Sequence, residues 1–323
     1  MNRLTSFFLI GLLLPTILFR TPVFTAQNGP SPFPTQSTRG IQLDVDLVLV
    51  NVTVTDSRNR FVQGLSKENF QVWEDKVEQQ ITTFEREDSP VSLGIVIDKS
   101  GSMGGKRPPA VASGSRILPP STWQTLIDGA RSSAYSCLQD GLRDDEYFMI
   151  EFADSPQIVA DYTNNVSELK EKLLFLGAGG STALWDAIYA GVAKLQDATN
   201  PRKALLVLTD GLENHSRYSL SELKNALRER DVRIYTMDRV EVQVDGLQQL
   251  VKQSGGRVFR SASPCKELAA ELRNQYLIGY RSTNRAKDGA WRDIRVRISS
   301  TDLPREMSNL TARARAGYFA ARD

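Results

Sequence analysis

The sequence is short of the residues that most often carry metal and nucleophile chemistry. Its 323 residues hold one histidine, His215, and two cysteines, Cys137 and Cys265. One imidazole and two thiols cannot build a His/Cys zinc site, and two cysteines make no disulfide framework. Metal chemistry in this chain must therefore use oxygen ligands. Charge of one sign is lacking too: 40 Lys and Arg stand against 38 Asp and Glu, a net +2. That balance argues against a nucleic-acid binder. No stretch joins dense basic residues to interleaved aromatics as a strand-tracking groove requires. Basic residues do gather after Tyr276 (Arg281, Arg285, Lys287, Arg292, Arg295, Arg297, Arg313, Arg315). They alternate with apolar ones and read as a solvated strand face.

Long apolar runs are also missing. The most apolar segment, residues 7–19, follows Arg3, contains Pro15 and is short for a membrane span. A charged start, a short apolar core and a polar exit at Ala26-Gln27 read as a secretory signal peptide over residues 1–26. An uncleaved N-terminal anchor is the alternative, and the only expected route to a membrane. The expected location is extracytoplasmic, secreted or periplasmic.

What is present falls into blocks. Residues 27–40, rich in Pro, Ser, Thr and Gly, read as a flexible leader. Residues 41–89 read as β: a strand from Ile41 to Asp56 whose apolar parity changes partway, then a hairpin turning at Glu74-Asp75-Lys76. Near Val91 the pattern changes. The runs VSLGIVI, EYFMIEF, KALLVLT and VRIYTM are each read as followed by a helix, which indicates a parallel sheet covered on both faces. Capping boxes are expected at Ser121–Gln124 and Ser219–Glu222, with Ser263-Pro264 opening the last helix. The first of these helices should bury Trp123, Leu126, Ile127, Ala130, Ala134 and Leu138. After Tyr276 the alternation of Ile294, Val296 and Ile298 with Asp293, Arg295 and Arg297 returns to β. The expected fold class is α/β: a doubly wound, mostly parallel sheet over residues 90–275, inserted in or flanked by a small β-sandwich. That sandwich would form from residues 41–89 and 276–323, since each flank alone has few strands to close a core.

Two buried runs end in aspartate, at Asp98 and Asp210. In a parallel sheet all strand C-termini share one edge, where the ligand crevice of open α/β folds lies. The glycine-rich LGAGGST turn brings Thr182 to that edge. Asp98, Ser100, Ser102, Thr182 and Asp210 thus make an oxygen-only set with two carboxylates. It suits a small hard cation such as Mg²⁺, which takes about six oxygens and keeps several waters.

Asp98-x-Ser100-x-Ser102, Gly180-Ser181-Thr182 and Thr209-Asp210-Gly211 together resemble the metal-ion-dependent adhesion site of von Willebrand factor type A domains. The resemblance spans roughly Val91 to Gln275. The flanks, with VNVTVTDSRNRFVQGLSKENFQVWED before and RARAGYFA at the end, are similar to a family of secreted bacterial proteins of acidobacterial type built around this domain. The resemblance implies that Ser100, Ser102 and Thr182 ligate the ion, with Asp98 and Asp210 ligating it or acting through water. It implies Mg²⁺, with Mn²⁺ or Ca²⁺ as alternatives, and a protein or peptide partner that supplies an Asp or Glu carboxylate. It also implies that the helices bearing Cys137 and Cys265 both start at the metal edge, so that the sulfurs stay apart and unbonded.

Two departures stand out. Lys99 places a cation beside the set and is expected to face away from it. A Gly- and Pro-rich segment from Gly104 to Pro120 separates the serine loop from the first helix, as a specificity lid or a disordered insertion. Other chemistry fits poorly. Ser100-Gly101-Ser102 lacks the leading glycine of a nucleophile elbow, and Gly104-Gly105-Lys106 does not complete a phosphate loop. Asp238 reads as a turn residue, and Asp186 as a complement to the dipole of its helix. The expected function is a non-enzymatic binding module with no small-molecule substrate. The alternative is a structural or assembly component of an envelope complex, in which the metal mainly stabilises the fold.

Overall fold

Val48, Val50, Val52 and Val54 alternate along β1 (Leu47–Thr55) and are buried, as a period-two strand with one face on a core requires. The computed structural model describes residues 47–86, 89–107, 124–141, 144–237, 245–260, 264–299, 303 and 309–322. The expected signal peptide, the leader, residues 41–46, most of the Gly104–Pro120 segment, Ser121, Trp123, Asp238 and Ser263 lie outside them. β2 (Phe70–Glu74) and β3 (Val77–Gln79) form the expected hairpin around a two-residue turn. Asp75 and Lys76 both take positive φ there, 47° and 72°, the mirror-image turn that matches strand twist. β4 (Ile81–Glu85) follows.

The central sheet begins with β5 (Val91–Asp98), buried along its whole length. A short pair, β6 (Lys106–Arg107) and β7 (Gln124–Thr125), leads into α1 (Leu126–Gln139). Thr125 caps α1 by accepting the Asp128 N–H, so the helix opens four residues after the expected Ser121. Ile127, Ala130, Ala134 and Leu138 are buried as expected. After β8 (Glu146–Phe152) comes β9 (Pro156–Thr163), an antiparallel edge strand where a helix was expected. Its outward-facing polar residues weaken the apolar signal. Then follow α2 (Val166–Leu174), α3 (Leu184–Lys194), β10 (Arg202–Leu208), α4 (Leu220–Glu229), β11 (Arg233–Met237), α5 (Asp245–Gln253), β12 (Val258–Phe259) and α6 (Pro264–Arg273). The sheet order is β12-β11-β10-β5-β8-β9, parallel except for β9. Leucines of α1, α2 and α6 cover one face; those of α3, α4 and α5 cover the other. The fold is α/β and doubly wound, as the sequence pattern implied.

The chain then returns through β13 (Gln275–Arg281), β14 (Trp291–Ile298), β15 (Thr311–Arg313) and β16 (Gly317–Phe319). Two antiparallel sheets result, ordered β15-β1-β13-β4 and β16-β14-β2-β3, so both mix strands from before and after the central sheet. They share one core around Val50, Val52, Phe70, Val72, Tyr276 and Ile278. Buried Glu74 ties them together, accepting from Tyr280, Ser282 and Tyr318 hydroxyls. Arg292, expected on a solvated face, is instead buried and paired with Asp288 at 2.9 Å.

The cysteine expectation fails. Cys137 and Cys265 form a disulfide, with their Cα atoms 4.6 Å apart. The expectation placed Cys265 at the metal edge because a helix starts there. The ten-residue α6 instead begins level with the last turns of α1, and its far end reaches the Asp140 carbonyl through Arg273. The two helices pack side by side, and their register brings the sulfurs together.

Candidate functional site

β5 ends in Asp98, and its carboxylate is fully buried at the C-terminal edge of the sheet. One oxygen accepts the Ser100 N–H (2.8 Å) and the other accepts the Thr209 hydroxyl (2.6 Å). The first bond curls the chain so that Ser100 and Ser102 point the same way, with their Oγ atoms 3.0 Å apart. A 3₁₀ turn over Gly101–Gly104 then drops Met103 into the core, which anchors the serine loop from below. The second bond joins the loop after β5 to the loop after β10, where Asp210 follows Thr209 directly. Burial pushes the Asp98 carboxyl above its ordinary value and the nearby charge of Asp210 adds to this, while the Ser100 and Thr209 bonds oppose it. Among the described residues, no Lys, Arg or His pairs with either carboxylate. Lys99 turns to Glu151 at 3.1 Å, away from Asp98 as expected.

Thr182 arrives from the glycine-rich turn, which is laced to the serine loop by backbone bonds. Gly101 N–H donates to the Gly180 carbonyl (2.9 Å) and Gly179 N–H to the Lys99 carbonyl (2.7 Å). Gly180 sits at φ +87°, and a Cβ there would come within 3.1 Å of Ala153. The turn thus needs glycine on both counts. Asp154 holds its other side by accepting the Ser181 N–H at 2.8 Å. That bond, with the Ser181 hydroxyl and the charge of His215, keeps the Asp154 carboxyl below its ordinary range.

The segment after Asp210 latches onto the start of α3, and this latch was not foreseen. Thr182 N–H donates to Asn214 Oδ1, and the Thr182 carbonyl accepts the Asn214 and His215 N–H groups. α3 has no side-chain cap of its own at Ala183. Glu213 and the Ser216 hydroxyl instead accept the Trp185 N–H from across the gap, and Ser216 also takes that of Asp186. They satisfy helix-start donors that would otherwise be orphaned. Asp186 does more than face the helix dipole: buried, it accepts the Arg217 and Tyr218 N–H groups and pairs with the Arg217 guanidinium. The sequence signal was the polar run DGLENHS after a buried strand, but its bonding partners are about thirty residues away, as in Thr182–Asn214 (separation 32).

All five expected residues therefore sit on three loops at one sheet edge, and those loops are cross-bonded. The set offers two carboxylates and three hydroxyls around a buried, unneutralised Asp98. This donor chemistry fits a hard divalent cation and none of the softer metals.

Residues 93–213 match the family model described as von Willebrand factor type A domain. No curated protein matches the chain. Similar solved structures include BatB from Bacteroides thetaiotaomicron, with 19% identity, 56% of this chain and 97% of that chain covered, and TM-score 0.44. An aerotolerance-related membrane protein from Bacteroides fragilis gives 18% identity, 56% and 98% coverage, and TM-score 0.43. The PilB minor pilin from Streptococcus sanguinis gives 13% identity, 58% and 60% coverage, and TM-score 0.43.

Proposed function

We propose that this von Willebrand factor type A domain is an exported, metal-dependent adhesion or assembly module that recognises a carboxylate on a partner protein. The supporting observation is the paired Ser100 and Ser102 hydroxyls beside a buried Asp98 that lacks a protein cation among the described residues. Asp98, Ser100, Ser102, Thr182 and Asp210 would hold the ion, with Mg²⁺ preferred and Mn²⁺ or Ca²⁺ as substitutes. The ion would supply Lewis acidity that the neutral hydroxyls leave largely unquenched, and so an affinity for an outside carboxylate. Large apolar side chains stand ready on the same edge: Phe175 is 87% exposed and Leu212 is 52% exposed. Such residues are common anchors in protein interfaces. Ser100 Oγ is bonded to Ser102 Oγ rather than to an imidazole, which leaves it without the base a nucleophile needs.

The test is calorimetric titration of the chelator-treated chain with Mg²⁺, together with a pull-down from the native envelope with Mg²⁺ or chelator. Asp98→Ala should abolish both metal uptake and metal-dependent capture while the chain still melts cooperatively in chelator. Partner capture that ignores chelation would refute the proposal. A second reading has its own support, because both Asp98 oxygens are engaged by the protein. There the metal stabilises the fold of an assembly component, and Mg²⁺ would raise the melting temperature without changing capture.

A further inference from the structure

We propose a second binding site, remote in sequence from the metal-type residues, in which an extended acidic peptide adds to the open edge of β12. β12 is the last strand of the central sheet, so among the described residues no strand covers its outer side. Thr236 N–H donates to the Arg257 carbonyl, and Thr236 is in register with Val258. In a parallel ladder of that phase, Val258 turns its own N–H and C=O away from β11. Among the described residues, neither group has a hydrogen-bond partner in the protein. Val258 and Arg257 line both a cavity of about 980 Å³ and a neighbouring one of about 840 Å³. The first is walled by the end of α5 and by Ala312 and Ala314 around β15, itself the edge strand of its sheet. The second is walled by the turn carrying Arg58. An edge backbone in an open groove is the arrangement used for strand addition.

Charge selects the occupant. Lys224, Lys252 and Arg58 line the two cavities, and among the described residues no carboxylate pairs with them. The single carboxylate in either lining is Glu267, which is already paired with Arg257. A groove with one sign of charge concentrates ligands of the other. The small apolar walls and the free backbone groups favour a peptide over a compact polyanion.

The test uses the full chain in chelator, so that it is independent of the metal reading, and a fluorescein-labelled peptide of about ten residues alternating Glu and Val, long enough to form a strand. Anisotropy should show binding that weakens as salt is raised. The same peptide with Lys for Glu should not bind. Arg58→Glu with Lys252→Glu should weaken binding by about tenfold or more, whereas Asp98→Ala should bind as the parent does. Hydrogen exchange at the Val258 amide in the parent chain should slow when the peptide is added. Val258→Pro removes that donor without removing a ladder bond, and should weaken binding with melting unchanged. Equal binding of the Lys peptide would overturn the proposal. So would unchanged exchange at Val258, or polyphosphate binding as tightly as the Glu peptide, since either would mean a plain anion patch.

Discussion

Asp98 is held by two bonds of different kinds, and the Thr209 hydroxyl is the one that side-chain substitution can remove. Thr209 also accepts the Gly211 N–H at 2.9 Å, so it organises the Asp210 loop as well. Thr209→Val should cost about 1–3 kcal/mol in urea unfolding with chelator present, because it strips partners from buried polar groups. Lys76 offers the opposite change. Its φ of 72° is one that a side chain resists, and glycine would relieve the strain. Lys76→Gly should raise stability by about 1 kcal/mol, measured by the same unfolding curves. Neither residue was chosen for its neighbours along the chain. Thr209 was legible as part of a motif, but its bond to Asp98 spans a sequence separation of 111.

At the scale of elements, the ends of the sheet opposite the site are pinned by Glu146. Burial works against its charge, but bonds from the Ser92 hydroxyl and from the Thr199 N–H and hydroxyl outweigh that and hold its carboxyl below its ordinary value. A lowered folded pKa adds stability above the unfolded value, and that stability is lost as pH falls through the folded one. Glu146→Gln should therefore lower the urea midpoint at neutral pH, and its deficit against the parent should shrink in acid. The disulfide acts between two helices on one face of the sheet, across a sequence separation of 128. Replacing both Cys137 and Cys265 by Ser should lower unfolding stability by about 2–5 kcal/mol. Calorimetry in non-reducing buffer checks this, and unchanged melting would mean that α1–α6 packing alone carries the contact.

Across the whole molecule, the central sheet and the antiparallel sheets are joined by buried charge. Arg233 of β11 donates to the Thr53 hydroxyl (2.9 Å) and to the Asn51 carbonyl, both on β1. This also explains why Thr53 is buried although it lies on the opposite face of β1 from its valines. Fully buried Glu271 of α6 pairs with Arg257 beside β12 (3.1 Å) and Arg313 of β15 (3.0 Å). Gly255 lets these surfaces close, since a Cβ there would meet the Ala314 carbonyl carbon at 2.6 Å. Arg233→Met should cost about 2–4 kcal/mol by stranding polar groups on β1. It should also split one calorimetric transition into two.

Local periodicity and composition determined much of this protein. Continuous apolar runs ending in Asp98 and near Asp210 read as strands covered on both faces, and parallel strands bring their ends to one edge. That rule places Asp98 and Asp210 at one edge, whereas the ligand roles of Ser100, Ser102 and Thr182 were implied by the resemblance to von Willebrand factor type A domains. Tertiary structure decided what depends on register between elements. The disulfide needed the axial offset of α6 against α1. The burial of Arg292 needed the neighbours of β14, and the latch from Glu213, Asn214 and Ser216 to α3 needed two loops to meet. The open edge of β12 likewise emerged only from the strand order, because a two-residue strand has no periodicity to read.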